Sequence, residues 1–239
     1  MIENKDIKDV KKENVDYTSE ATRLLNTQCK KTVTYDNIHK CYNSRTIELE
    51  ELLMQDIIDK DGLLKLLNEL DEIKKINEKH KCLLDEHTQN HPAHFLDVLT
   101  HSLKVVEGVP KNYLLRLTAL LHDIGKPDSK KVGEDGFDHF HGHEKVGAII
   151  AEKILRQLDY RDEFIKKVVK LIEYHDTKTE RTIEGVKKMV NLLGGKDNYE
   201  LLLILQRADL CAHSKDYAKE KLHKLDEVKI IFEGIKETL

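Results

Sequence analysis

From Asp61 to the C-terminus, apolar residues return every three or four positions and little interrupts them. The stretch opening at Asp61 puts Leu63, Leu66, Leu67, Leu70, Ile73 and Ile76 on one stripe. That is the period of an amphipathic helix, not the alternation of a strand. The 239 residues include only three prolines and 11 glycines, so each breaker marks a helix boundary. The spacing predicts helices over 43–59, 61–80, 97–107, 112–124, 143–158, 162–175, 183–193, 198–213 and 217–238. Gly108 with Pro110, Gly125 with Pro127, and Gly194 with Gly195 supply stops. "KKVGEDGFDHFHG" is the one irregular stretch, and its Asp135-Gly136 pair predicts a small hairpin near residues 130–140. The expected fold class is all-α, an orthogonal helical bundle.

Three segments follow. Residues 1–43 are polar and weakly patterned, and read as an N-terminal lead-in. Residues 44–90 read as a helical extension, and residues 91–239 as the main domain with its C-terminal helices. The net charge of −4 lacks the basic excess of a dedicated nucleic-acid binder. Lys166, Lys167, Lys170, Lys187 and Lys188 are interleaved with Glu163, Glu173 and Glu184, the pattern of a solvated helix face. Cys29, Cys41, Cys82 and Cys211 form no C-x-x-C pair, which argues against a zinc knuckle or disulfide framework and for a reducing compartment. The N-terminus has no apolar signal region, and no stretch approaches the roughly 20 apolar residues of a membrane span. A cytoplasmic protein with no membrane partner is the expectation.

Polar groups on the apolar stripes point to chemistry. His101 shares a helix face with Val98 and Val105. Phe164, Val168, Leu171 and Ile172 lead to His175. Leu202 and Leu205 lead to Asp209, and His143 opens a face continued by Val146, Gly147, Ile150 and Ile154. His122 and Asp123 sit side by side in "TALLHDIGKP", where the chain leaves its helix. Each could have its own polar solution. A core histidine can be hydrogen-bonded, Asp123 can satisfy a backbone donor, and Asp209 can pair with Arg207 or a lysine. Several separate solutions in one core are harder to build than one shared centre. Imidazole and carboxylate donors suit divalent ions, and Asp123 could bridge two of them.

The order His101, then His122-Asp123, then Asp209 resembles the signature of the HD-domain superfamily of metal-dependent phosphohydrolases. "HPAHFLDVLTHSLKVVEGVP", "LRLTALLHDIGKP", "GFDHFHGHEKVGA", "LIEYHD" and "RADLCAHS" are together similar to the HD region of bacterial CCA-adding tRNA nucleotidyltransferases. The polymerase head of that family needs a Gly-rich loop followed by paired carboxylates. The first glycine here is Gly62, so CCA addition is not carried over and an HD module without that head is expected.

The resemblance implies a first metal on His101, His122, Asp123 and Asp209. It implies a second on His143 and His175 with Asp123 as bridge, giving one or two divalent ions (Mn, Mg, Ni, Co, Fe or Zn). Asp176 is expected to orient its neighbour His175. The implied reaction is phosphodiester or phosphomonoester hydrolysis by activated water, on a nucleotide, a cyclic nucleotide or an RNA 3′ end. Asp123 is central to that chemistry. Lys126 is placed to reach the phosphate as a point charge, or to act as an ordinary helix-terminal lysine. His141, with His139 beside it, is a candidate proton donor, and His94 a candidate neighbour of the site. The competing reading is a non-catalytic RNA- or nucleotide-binding regulatory module with the same fold.

Overall fold

Each predicted stripe finds its partner in the computed structural model, which describes residues 44–94 and 96–239. The lead-in expected over residues 1–43, with Cys29 and Cys41, lies outside the described residues. Helices α1 (Ser44–Leu53), α2 (Lys60–Leu67) and α3 (Asp71–His80) come first. Next are α4 (Val98–Gly108), α5 (Tyr113–Leu121) and the short α6 (Lys126–Ser129). A two-residue hairpin pairs β1 (Lys131–Val132) antiparallel with β2 (Asp138–His139), Lys131 opposite His139. Then follow α7 (His143–Gln157), α8 (Asp162–Tyr174), α9 (Ile183–Leu193), α10 (Lys196–Ala212) and α11 (Lys215–Ile235). The fold is all-α, with the small hairpin where Asp135-Gly136 predicted it. No helix among the described residues is long and apolar enough to cross a membrane.

Side-chain caps start several of these helices. Asp97 accepts from Thr100 N, Asn112 from Leu115 N, and Thr182 from Gly185 N, each satisfying an otherwise unpaired first-turn donor. Caps also explain where boundaries depart from the periodicity. The helix expected over 43–59 ends at Leu53. Asp59 accepts from Gly62 N at 3.0 Å and starts α2 afresh, while the buried Arg116 donates to Leu53 O and Gln55 O at 2.6 and 2.9 Å. The single helix expected over 61–80 is two. Leu70 adopts extended backbone (φ −82°, ψ 132°) and is fully buried, so the break turns this leucine into the core. Helix α5 ends at Leu121, not at residue 124. Pro127 does not stop a helix. It lies in the first turn of α6, where its missing N–H costs nothing.

One large hydrophobic cluster joins α1 to α5 with α7, α8 and the C-terminal half of α10. A smaller one packs Leu171, Met189, Tyr199, Leu202 and Phe232 together, with Tyr199 edge-on to Phe232 at 5.1 Å. Each fully buried leucine of this kind contributes about 1.5–3 kcal/mol. Helix α4 lies along both α5 and α10, and α7 along α8. Those pairings bring His101 to Asp209, and His143 to His175.

The tightest contact lies next to the HD pair. A Cβ at Gly125 would stand 2.2 Å from His143 O and 2.4 Å from Gly147 N. Backbone therefore meets backbone where the turn after α5 abuts the start of α7. Gly125→Ala is expected to cost about 3 kcal/mol, the upper end of overpacking effects, read as a lower urea midpoint. An unchanged midpoint would refute that contact.

Candidate metal centre

Three of the expected ligands share one local device. His122 follows α5 and His175 follows α8, where the last carbonyls have no intrahelical donor. His122 Nδ1 lies 2.7 Å from Ala119 O, and His175 Nδ1 2.7 Å from Ile172 O. His143 Nδ1 lies 2.8 Å from Phe140 O. A carbonyl oxygen only accepts, so each Nδ1 carries the proton. In its neutral form each ring then presents a bare Nε2 lone pair, and backbone position sets its direction.

Those lone pairs converge on Asp123, which is 1 % exposed. Its Oδ1 lies 3.3 Å from His143 Nε2 and 3.7 Å from His175 Nε2. Its Oδ2 lies 3.3 Å from His122 Nε2 and 3.4 Å from His101 Nε2. Asp209 Oδ1 lies 2.9 Å from His101 Nε2 and 3.6 Å from His122 Nε2. All six residues expected from the sequence come together, in two sets that share Asp123. Within each of the triplets His101–His122–Asp123 and Asp123–His143–His175, the donor atoms lie within 4.8 Å of one another.

Two observations test whether a cation fits. His143 Nε2 and His175 Nε2 face each other at 3.1 Å, yet both Nδ1 atoms already hold the ring protons. Two bare lone pairs cannot bond to each other, so a cation lies between them: either a proton, which Asp123 favours on His143 against the effect of burial, or a metal ion. His122 Nε2 is buried without a hydrogen bond, and Asp123 Oδ2 has the Lys126 ammonium on one side only, at 2.6 Å. Bonds of about 2.0–2.2 Å to one ion set neighbouring donors about 3.0–3.5 Å apart, and most of the separations above fall there. These residues fit a divalent ion, and Asp123 offers one oxygen to each side.

Charge follows the same geometry. Burial opposes ionisation of Asp123, but His122 and Lys126 hold its carboxyl well below the usual range. Burial likewise opposes ionisation of Asp209, which His101 and His122 overcome. Burial pulls His122 down, but Asp123 and Asp209 push it up to about 10. The proton on His122 is thus a stand-in for a positive charge that two carboxylates require. Burial lowers His101, against the pull of Asp209 and Asp123.

The remaining candidates surround a cavity of about 340 Å³ over this centre. Lys126 is buried, its Nζ 2.6 Å from Asp123 Oδ2 and donating to Gln89 Oε1 at 2.8 Å. His141 is exposed at the rim, stacked on His139 at 5.6 Å, and His139 is held by Asp135 at 3.0 Å. His94 lies 4.5 Å from the His213 ring. Its Nδ1 has no hydrogen bond, and burial with Lys126 and His213 nearby pushes its pKa down to about 2. Two expectations are corrected. Asp176 is exposed, and the Ile172 carbonyl orients His175 in its place. Arg207 pairs with Asp226 and not with Asp209.

Sequence reasoning passed over His213. Its Nδ1 donates to Asp209 O at 2.8 Å, and it forms a third donor triplet with His101 and Asp209. Its spacing of four residues from Asp209 was the available signal.

Residues 93–213 match the family model for the HD domain. The chain belongs to the HD-domain family. This family forms a superfamily of metal-dependent phosphohydrolases. The HD-domain chain is also similar to the A-adding tRNA nucleotidyltransferase of Deinococcus radiodurans, 34% identical over 88 residues that cover 34% of this chain and 20% of that protein. It is 36% identical over 83 residues to the CC-adding tRNA nucleotidyltransferase of Thermus thermophilus, covering 34% of this chain and 19% of that protein. The HD-domain chain thus spans about a fifth of the length of these relatives.

A metal must displace the proton that Asp123 and Asp209 hold on His122. Because that pKa is raised to about 10, binding below it releases a proton, and affinity falls as pH falls. Calorimetric titration with Mn²⁺ should show the apparent Kd rising about 10-fold per pH unit for each proton released as pH drops from about 8 to about 6. A pH-independent Kd would contradict the charge balance drawn here.

Proposed function

We infer that this protein is a metal-dependent phosphohydrolase, a phosphodiesterase or phosphomonoesterase acting on a nucleotide, a cyclic nucleotide or the phosphate of an RNA end. The observation that carries the reading is the shared carboxylate. Asp123 faces two sets of histidine lone pairs, one on each oxygen, at the floor of an open cavity. The proposed ligands are His101, His122, Asp123 and Asp209 on one side, and His143 and His175 with Asp123 on the other. One or two ions of Mn, Mg, Ni, Co, Fe or Zn would occupy them. A divalent ion there would supply Lewis acidity to a phosphate oxygen and bring the pKa of water toward neutrality.

The chain's own groups supply the rest. Lys126 Nζ sits at the cavity wall against Asp123, so a phosphate entering the cavity competes with that carboxylate for the ammonium. Hydrolysis forms one phosphorus–oxygen bond to water and breaks one to the leaving group, whose oxygen needs a proton. His141, exposed on the rim, is the proposed donor. Among the proposed ligands, His122, His143 and His175 are each held to a backbone carbonyl through Nδ1, so turning away costs that hydrogen bond. The tRNA nucleotidyltransferase relatives favour a nucleotide or RNA substrate over a sugar phosphate. Residues 91–239 carry the proposed activity, with 44–90 as an extension joined to the same core. Cys82 and Cys211, both free thiols, suit a cytoplasmic setting.

The test is hydrolysis of bis(p-nitrophenyl) phosphate, 2′,3′-cyclic nucleotides and mononucleotides with added Mn²⁺, Ni²⁺, Co²⁺ or Mg²⁺. Turnover is expected with at least one metal and should vanish with chelator. Asp123→Ala should lower kcat roughly 10³-fold, the scale for losing a centre that stabilises developing charge, while helical circular dichroism persists. Equal turnover in that variant would remove the assignment.

A further inference from the structure

The cavity over the metal centre continues sideways. A second cavity of about 440 Å³ runs between the segment joining α8 to α9 and the outer face of α11. His175, Asp209, His213 and Tyr217 line both cavities. Each has the size of a small-molecule site by itself. The first has room for one phosphate with its own nucleoside, which leaves the second open to a neighbouring group.

Its lining says which. Tyr217 stands at the junction, its ring stacked on His213 at 5.1 Å with 26° between the planes. Lys221 Nζ lies 3.4 Å from the centroid of the same ring. Leu225 and Val228 give an apolar wall further along α11. Lys178 lines the opposite side, exposed and without a hydrogen bond or ion pair among the described residues. Asp176, Asp209, Asp216 and Glu220 also face the groove, Asp209 turned to His101 at 2.9 Å and Glu220 bound by Lys224 at 2.5 Å. The connecting segment is pinned, since Gln206 Nε2 donates to His175 O and Thr177 O at 3.0 and 2.9 Å. An aromatic platform with Lys221 and Lys178 on opposite sides, on a fixed frame, suits one stacked base and the phosphate beside it, and the groove's carboxylates limit it to a single nucleotide.

We propose that this groove seats the nucleotide adjoining the phosphate at the metal centre, so that the protein takes the end of a single-stranded nucleic acid. Tyr217 is the stacking platform for its base. Lys221 gives up the ring face to that base and turns its charge to the neighbouring phosphate, with Lys178 opposite. The inference rests on the phosphohydrolase reading for what happens at the centre, but binding in the groove is separable from cleavage.

The experiment is fluorescence anisotropy with a labelled single-stranded hexaribonucleotide, in chelator so that nothing is cleaved. Wild-type protein should bind it, with affinity falling as salt rises. Tyr217→Ala should raise Kd about 10-fold, the scale of one lost base stack. Lys178→Glu, on an exposed segment, should also weaken binding, which keeps the test valid if Tyr217→Ala fails to fold. No binding by wild type, or an unchanged Kd in both variants, overturns the groove. Cleavage of bis(p-nitrophenyl) phosphate without oligonucleotide binding sinks the groove alone. Binding without any metal-dependent turnover supports the groove and sinks the phosphohydrolase reading instead.

Discussion

A carboxylate shut away from water demands compensation, and Asp123 imposes that demand on the whole bundle. Its charge is stable only if positive groups or polarised donors surround it. Lys126 supplies one from three residues along the chain. Everything else arrives from a distance. His101 comes on α4, His143 at the start of α7, His175 at the end of α8 and Asp209 on α10. The helix pairings α4 with α10 and α7 with α8 therefore serve two purposes: they bury apolar stripes, and they assemble a ring of donors about one side chain.

The ring is stiff because it is tied to the main chain. A histidine just beyond a helix end would ordinarily rotate freely. At 122 and 175 it instead donates through Nδ1 to a carbonyl of the last helical turn, and aims Nε2 inward. The same hydrogen bond thus closes a helix and fixes a tautomer. A lysine or asparagine could close the helix, but neither would present an imidazole lone pair to the interior. Replacing either histidine removes both contributions together, so helix stability and ion affinity should be coupled at these positions.

Much of this was legible in the residues. Period and breakers gave an all-α bundle with one hairpin, because the apolar stripes are long and the glycines and prolines few. The six converging donors were legible because each sits on, or just past, an apolar stripe where water would otherwise be the cheaper partner. Periodicity alone missed what tertiary contacts decide. Leu70 continues the helical stripe of its neighbours, yet the chain breaks there to bury it. Pro127 looks like a terminator and is the opening turn of α6. Asp176 follows His175 in sequence, but it is exposed and a carbonyl from the preceding turn does the orienting. His213 lacked a long apolar approach, and only its position over Asp209 reveals it.

Gly125 was legible as a helix stop, but its larger role is spatial. With hydrogen in place of a methyl group, the loop holding Asp123 and the helix beginning at His143 touch main chain to main chain, across to Gly147. No rotamer can lengthen or shorten that junction. The spacing between the stretch that carries the carboxylate and the one that carries the His143 imidazole is therefore set by two peptide backbones. Ionic radius, more than ligand flexibility, then becomes the criterion by which such a cradle would discriminate among divalent guests.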